Sequence, residues 1–188
     1  MESFEELLHA LDRAGLWSEI PKAGKRDVVA ALTSGKEVTW RAGGVWNVDG
    51  EDMADGDVEQ WLTSMADPLR DCGVDLRVDS VIRPHDPEST GYAISVNGQR
   101  LDLYSFVEGE PHLPDVEDAW TDCSVRPAAR VNSLLATAGS SRRVALFWPG
   151  WNFGTAVLGE ERVLRRFTAT FWRRLVRRAA VPANCVIP

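Results

Sequence analysis

The groups in this chain that could do chemistry are three histidines, three cysteines and one dense run of carboxylates. The run reads Asp49-Gly50-Glu51-Asp52-Met53-Ala54-Asp55-Gly56-Asp57-Val58-Glu59. It invites a calcium reading and fails it on spacing. An EF-hand loop needs oxygen ligands at positions 1, 3 and 5, Gly at 6 and Glu at 12, and no starting point in the run satisfies all of these. The histidines are equally unpromising as general bases. His9 falls in an N-terminal helical pattern, His85 sits between prolines in Arg83-Pro84-His85-Asp86-Pro87, and His112 lies between Pro111 and Pro114. His85 and Asp86 are the one candidate acid–base pair, but sequence neighbours seldom face one another. Cys72, Cys123 and Cys185 are odd in number and far apart, the pattern of free thiols in a reducing compartment. The chain has no G-x-S-x-G, no H-E-x-x-H, no C-x-x-C and no phosphate-binding glycine loop followed by Lys-Ser/Thr. The expectation is a protein without catalytic residues, metal or cofactor.

Charge is distributed unevenly, and this points to recognition through electrostatic fields. Residues 1–141 carry 12 Lys+Arg against 26 Asp+Glu, whereas residues 142–188 carry 9 Arg against only Glu160 and Glu161. The balances are −14 and +7, giving the net −7. Three lysines beside 18 arginines, with abundant Ala, Asp, Val and Gly, fit a GC-rich bacterial genome. An N-terminus without a basic or apolar signal segment, and no apolar run near the roughly 20 residues that span a bilayer, lead to a cytoplasmic expectation.

At 188 residues the chain suits one domain with one well-buried core. Its segments read as an alternation of helices and local hairpins. Phe4, Leu7, Leu8 and Leu11 make a first helix, and residues 27–32 a short second one. Strands at 37–41 and 45–49, joined by Ala42-Gly43-Gly44, would set Trp40 opposite Trp46 and Val38 opposite Val48. A helix is expected to open at Asp55, with a stripe of Val58, Trp61, Leu62, Met65 and Leu69, a break near Asp67 imposed by Pro68, and a stop at Gly73. Asn97-Gly98 predicts a two-residue hairpin turn between strands 91–97 and 99–107, with Ile94 against Leu101 and Tyr92 against Leu103, and with residues 74–82 as a third strand. Residues 108–120, rich in proline and acids, read as a loop. A helix from about 126 to 138, strands at 144–148 and 153–158, and a helix from about residue 160 complete the pattern. The fold class is therefore α+β: a single domain, 1–188, with antiparallel hairpins packed against several helices.

The end of the chain is a basic amphipathic helix over 160–180. Leu164, Phe167, Phe171 and Leu175 share one face, and Arg162, Arg166, Arg173 and Arg177 the other. The first reading is a helix that seals the core with its apolar side. A peripheral membrane contact through Arg162–Arg178 is the second, since Arg, Trp and Phe suit an anionic interface. Nucleic acid is disfavoured because the acidic body would repel phosphate. Ahead of this helix, Trp148-Pro149-Gly150-Trp151-Asn152-Phe153 places three aromatics around a tight turn, either buried under the helix or exposed to bind something.

Three stretches resemble a known group. They are Trp46-x-x-Asp49-Gly50-Glu51-Asp52-x-Ala54-x-Gly56-Asp57-Val58-Glu59-x-x-Leu62, Val131-Asn132-x-Leu134-Leu135-Ala136, and Pro149-Gly150-x-Asn152-x-Gly154. In this order they are similar to small proteins of GC-rich bacteria of the immunity type, which neutralise secreted toxins. The similarity spans about residues 40–160, and its motifs are turns and helix starts. It implies a protein-binding function and carries no catalytic residue across. The expectation is a non-enzymatic inhibitor of a basic bacterial toxin. Asp49, Glu51, Asp52, Asp55 and Asp57, with acids from Glu108 to Asp122, would supply the field, and Trp46, Trp148 and Trp151 the anchors. A membrane-contacting regulatory or scaffold protein, and an enzyme whose site assembles from scattered residues, are the alternatives.

Overall fold

A computed structural model describes residues 24–26, 44–86, 89–106, 116–147, 152, 154–167 and 185–188. The expected N-terminal helices, the strand at 37–41 with its Trp40–Trp46 pairing, His9, His112, Trp148, Trp151 and residues 168–184 lie outside the described residues.

The described elements follow in the order β1 (Val45–Val48), α1 (Gly50–Asp52), a wide turn (Met53–Asp57), α2 (Val58–Ser64), α3 (Ala66–Arg70), β2 (Val78–Ile82), β3 (Gly91–Val96), β4 (Gln99–Ser105), α4 (Val116–Thr137), β5 (Arg142–Phe147), β6 (Gly154–Glu160), α5 (Glu161–Phe167) and β7 (Cys185–Val186). They build two antiparallel sheets, one ordered β1-β6-β5-β7 and the other β2-β3-β4. The fold is α+β, as the alternation of hairpins and helices implies.

Helix α4 packs on β5 of one sheet and on β4 of the other, so it links the two layers. Its stripe Ala119, Cys123, Ala128, Val131 and Leu135 is buried at helical spacing. This helix begins ten residues before the expected start near Arg126, and it absorbs part of the stretch read as a loop up to Trp120. Pro127 lies inside it and removes one internal donor, a defect of about 3 kcal/mol in an isolated helix. The buried stripe runs through the proline, and tertiary packing outweighs that local cost.

The sheet of β1, β6, β5 and β7 is covered on both faces. Val144, Leu146, Ala156 and Leu158 join the main core beneath α4, while Ala145, Phe147, Thr155 and Val157 point the other way and are also buried. A strand buried on both sides reads as a continuous apolar run, which is why Val144–Phe147 stands out in the sequence. Leu164 of α5 is buried, and α5 rests on β5 and β6. Within Glu161–Phe167, Leu164 is the described side chain that turns inward.

In the smaller sheet the Asn97-Gly98 turn forms as expected, with φ of 52° at Asn97 and 76° at Gly98, and Ile94 faces Leu101. The expected pairing of Tyr92 with Leu103 is corrected to Tyr92 with Tyr104. A bulge between Tyr92 and Ala93 shifts the register by one residue, and only close packing against neighbouring elements specifies a bulge. The third strand forms, shortened to β2.

Candidate functional site

The acidic run is not a loop leading to a helix at Asp55; its helix opens five residues earlier. Asp49 is the N-cap, accepting the Glu51 N–H at 3.0 Å and the Asp52 N–H at 3.4 Å. Burial pushes the Asp49 carboxyl above its ordinary value, and the two backbone donors pull partly against that shift. After α1 the backbone widens through Met53–Asp57 and kinks at Gly56, where φ is 125°, a conformation costly for any residue with a Cβ. The chain re-enters α2, whose Val58, Trp61 and Leu62 are buried. The sequence signals for this early start were Asp49 as a cap and Gly56 as a kink, obscured by the apparent charge of a solvated loop.

Two tyrosines of the smaller sheet fasten the kink. The Tyr92 hydroxyl donates to the Gly56 carbonyl at 2.8 Å, and the Tyr104 hydroxyl donates to the Ala54 carbonyl at 3.0 Å. Their rings meet edge to face at 5.9 Å, and Phe106 packs on Tyr104 at 5.7 Å. Burial raises both phenols well above their ordinary range, so both remain neutral donors. Farther along, the Ser80 hydroxyl donates to the Glu59 carboxylate. The segment is thus held along its length by β2, β3 and β4.

The carboxylates of this segment face outward. Glu51, Asp52, Asp55 and Asp57 are exposed, and none has an ion-pair partner among the described residues. Asp55 stands three residues from Asp52 and four from Glu51, so it neighbours both on the helical start. Several described arginines pair elsewhere. Arg143 and Arg165 converge on Glu161 at 3.3 and 2.7 Å, Arg142 reaches Glu160 at 4.0 Å, and Arg126 holds Asp122 at 2.5 Å. Asp122 therefore contributes less field than its place in the acidic 108–122 stretch implies, while residues 108–115 lie outside the described set.

Trp46 of β1 is half-buried against the core, and its indole N–H points to the Ser64 carbonyl at 3.4 Å. The reason lies in Pro68. With no N–H, Pro68 cannot satisfy the carbonyl four residues back, so the helix breaks at Met65, two residues before the expected Asp67, and an indole takes the vacated acceptor.

Two of the three similar stretches touch through Asn152 and Glu51, and the third supplies a buried polar group. Asn132 of α4 is buried, and its carboxamide accepts the Val144 N–H at 2.7 Å while donating to the Val144 carbonyl at 2.9 Å and the Pro188 carbonyl oxygen at 2.8 Å. Leu158, opposite Val144, donates to Gly44 on the β1 side, so the polar groups of Val144 point to the other edge of β5. Asn132 fills the ladder position next to β7 there and fixes β5. From β5 the chain runs through 148–153, where the Asn152 side-chain N–H donates to the Glu51 carboxylate at 3.3 Å across 101 residues. Asn152 thus touches the start of the acidic segment.

His85 and Asp86 are both exposed, and no hydrogen bond joins them among the described residues. Among the described residues no group of three or more His, Cys, Asp and Glu is arranged for a metal ion. None of the described helices is long and apolar enough to cross a membrane. Comparison with protein-family models, with curated proteins and with solved structures found no match.

Proposed function

We propose that the protein is a non-enzymatic binder, an immunity-type inhibitor that neutralises a basic bacterial toxin through its Asp49–Asp57 surface. One observation carries this reading: Glu51, Asp52, Asp55 and Asp57 are exposed on a rigidly held segment and have no ion pair among the described residues. Carboxylates left uncompensated project a field that speeds the encounter with a cationic cleft and selects for it. Holding them through Tyr92, Tyr104 and Ser80 lowers the ordering cost at association. Trp46, Trp148 and Trp151 are the anchors in this reading, and the Asn152–Glu51 contact, beside Trp151 in the sequence, supports it. The cytoplasm of a bacterium is the compartment in which such an inhibitor protects its own cell.

Co-expression with basic toxin domains encoded in the same genomic neighbourhood tests the proposal. Wild type rescues growth, and the variant combining E51Q, D52N, D55N and D57N loses rescue while keeping its fold. Association with the rescued toxin slows about tenfold or more in that variant, and also when salt rises to about 0.5 M. A toxin neutralised equally well by the variant, or the absence of rescue from any neighbouring domain, refutes it.

A further inference from the structure

The Asn97-Gly98 turn holds a chemistry that the binding surface does not use. We propose that Asn97 is a latent deamidation site that the folded hairpin keeps closed. In an Asn-Gly pair the Gly98 nitrogen is unhindered by any side chain and can attack Asn97 Cγ. The Cγ–N bond to Gly98 forms, the Cγ–Nδ2 bond breaks, and the nitrogen leaves as ammonia with the proton given up by Gly98. Water then opens the succinimide at either carbonyl, producing aspartate or its backbone-shifted isomer.

The fold opposes the first step by holding the Asn97 carboxamide. Asn97 Oδ1 accepts the Arg77 N–H at 2.7 Å, and Nδ2, the leaving group, donates to the Asp75 carbonyl at 3.0 Å. The Asn97 backbone N–H donates to the Arg77 carbonyl at 2.8 Å. The carboxamide is therefore held by residues 75–77, and the paired turn fixes φ at Asn97 and Gly98. Swinging Cγ onto the Gly98 nitrogen requires these bonds to break. Both residues are exposed, so water is present and the hydrogen-bond network is the barrier. Since this network also ties the approach to β2 onto the β3–β4 turn, the product cannot restore it. A carboxylate oxygen replaces the Nδ2 donor opposite the Asp75 carbonyl, and the isomer adds a backbone atom to a two-residue turn.

The test incubates the full chain in mildly alkaline buffer, native and urea-unfolded, and follows the peptide containing residue 97 by mass spectrometry. Conversion is expected in urea, and about tenfold or more slower in the native protein, because reaction must wait for local opening. Equal rates, or no conversion in urea, overturn the proposal. Gly98→Ala, measured in urea where folding does not matter, is expected to slow conversion sharply; an unchanged rate overturns the assigned nucleophile. The Asn97→Asp variant is expected to melt below wild type, and an equal melting temperature overturns the claim that the product fails to re-latch.

Discussion

Removing the Tyr104 hydroxyl tests whether the acidic segment is held by the smaller sheet. In Tyr104→Phe the ring stays, with its edge contacts to Tyr92 and Phe106, and only the donor to the Ala54 carbonyl is lost. That bond is buried, so the carbonyl keeps its desolvation cost without a partner, an effect of about 1–3 kcal/mol. For a chain of this length each kcal/mol lowers the melting temperature by roughly 2–4 °C, giving a drop of about 2–12 °C. Tyr92→Phe removes the matching bond to Gly56. Because both bonds fasten one kink and the rings touch, the double variant should depart from additivity by about 0.5 kcal/mol or more. Thermal and urea unfolding supply the stabilities, and amide exchange over residues 50–59 supplies the local readout. Faster exchange confined to that segment is expected. A melting temperature within 1 °C of wild type (roughly 0.3 kcal/mol), or exchange that rises evenly over the chain, refutes the reasoning.

Asn132→Ala should be among the more damaging single changes, at about 3 kcal/mol by urea titration, because it orphans both polar groups of Val144 and frees the Pro188 oxygen. Thr155→Val should raise stability by about 1 kcal/mol: the Thr155 hydroxyl is fully buried and has no hydrogen-bond partner among the described residues, so an apolar group of the same shape removes a cost. Burial pushes the Cys123 thiol up to about 12. Its protonated form is favoured by folding, so the stability linked to it is complete below the unfolded thiol range near about 8.5 and is lost as pH rises towards 12. The stability gap between wild type and Cys123→Ala should narrow over that window, and a constant gap refutes the linkage.

Much of the fold was legible because it rests on short-range signals. Asn97-Gly98 fixes a turn through backbone conformation alone, Gly73 ends a helix, and Val58, Trp61, Leu62, Met65 and Leu69 mark a buried stripe by their period. Those features depend on residues within a few positions of one another. The errors share the opposite property. Pro127 signals a helix start locally, but a stripe packed between two sheets carries α4 through it. Pro68 signals a break, yet the carbonyl it vacates finds its donor in Trp46, 18 residues away. The Tyr92–Tyr104 register depends on a bulge that alternation cannot reveal.

The same division holds for the candidate surface. Composition alone determined that an acidic body precedes a basic end, because charge sums over residues regardless of where they lie. Whether those charges cancel is a matter of distance, which falls to the tertiary structure. It pairs Arg142, Arg143 and Arg165 with Glu160 and Glu161 beside them and leaves Glu51, Asp52, Asp55 and Asp57 facing water without an ion pair among the described residues. It also brings Asn152 to Glu51, and lets Asn132 stand in for a strand. Contacts between groups so far apart along the chain follow from how the sheets and α4 pack, and no local pattern of residues encodes that packing.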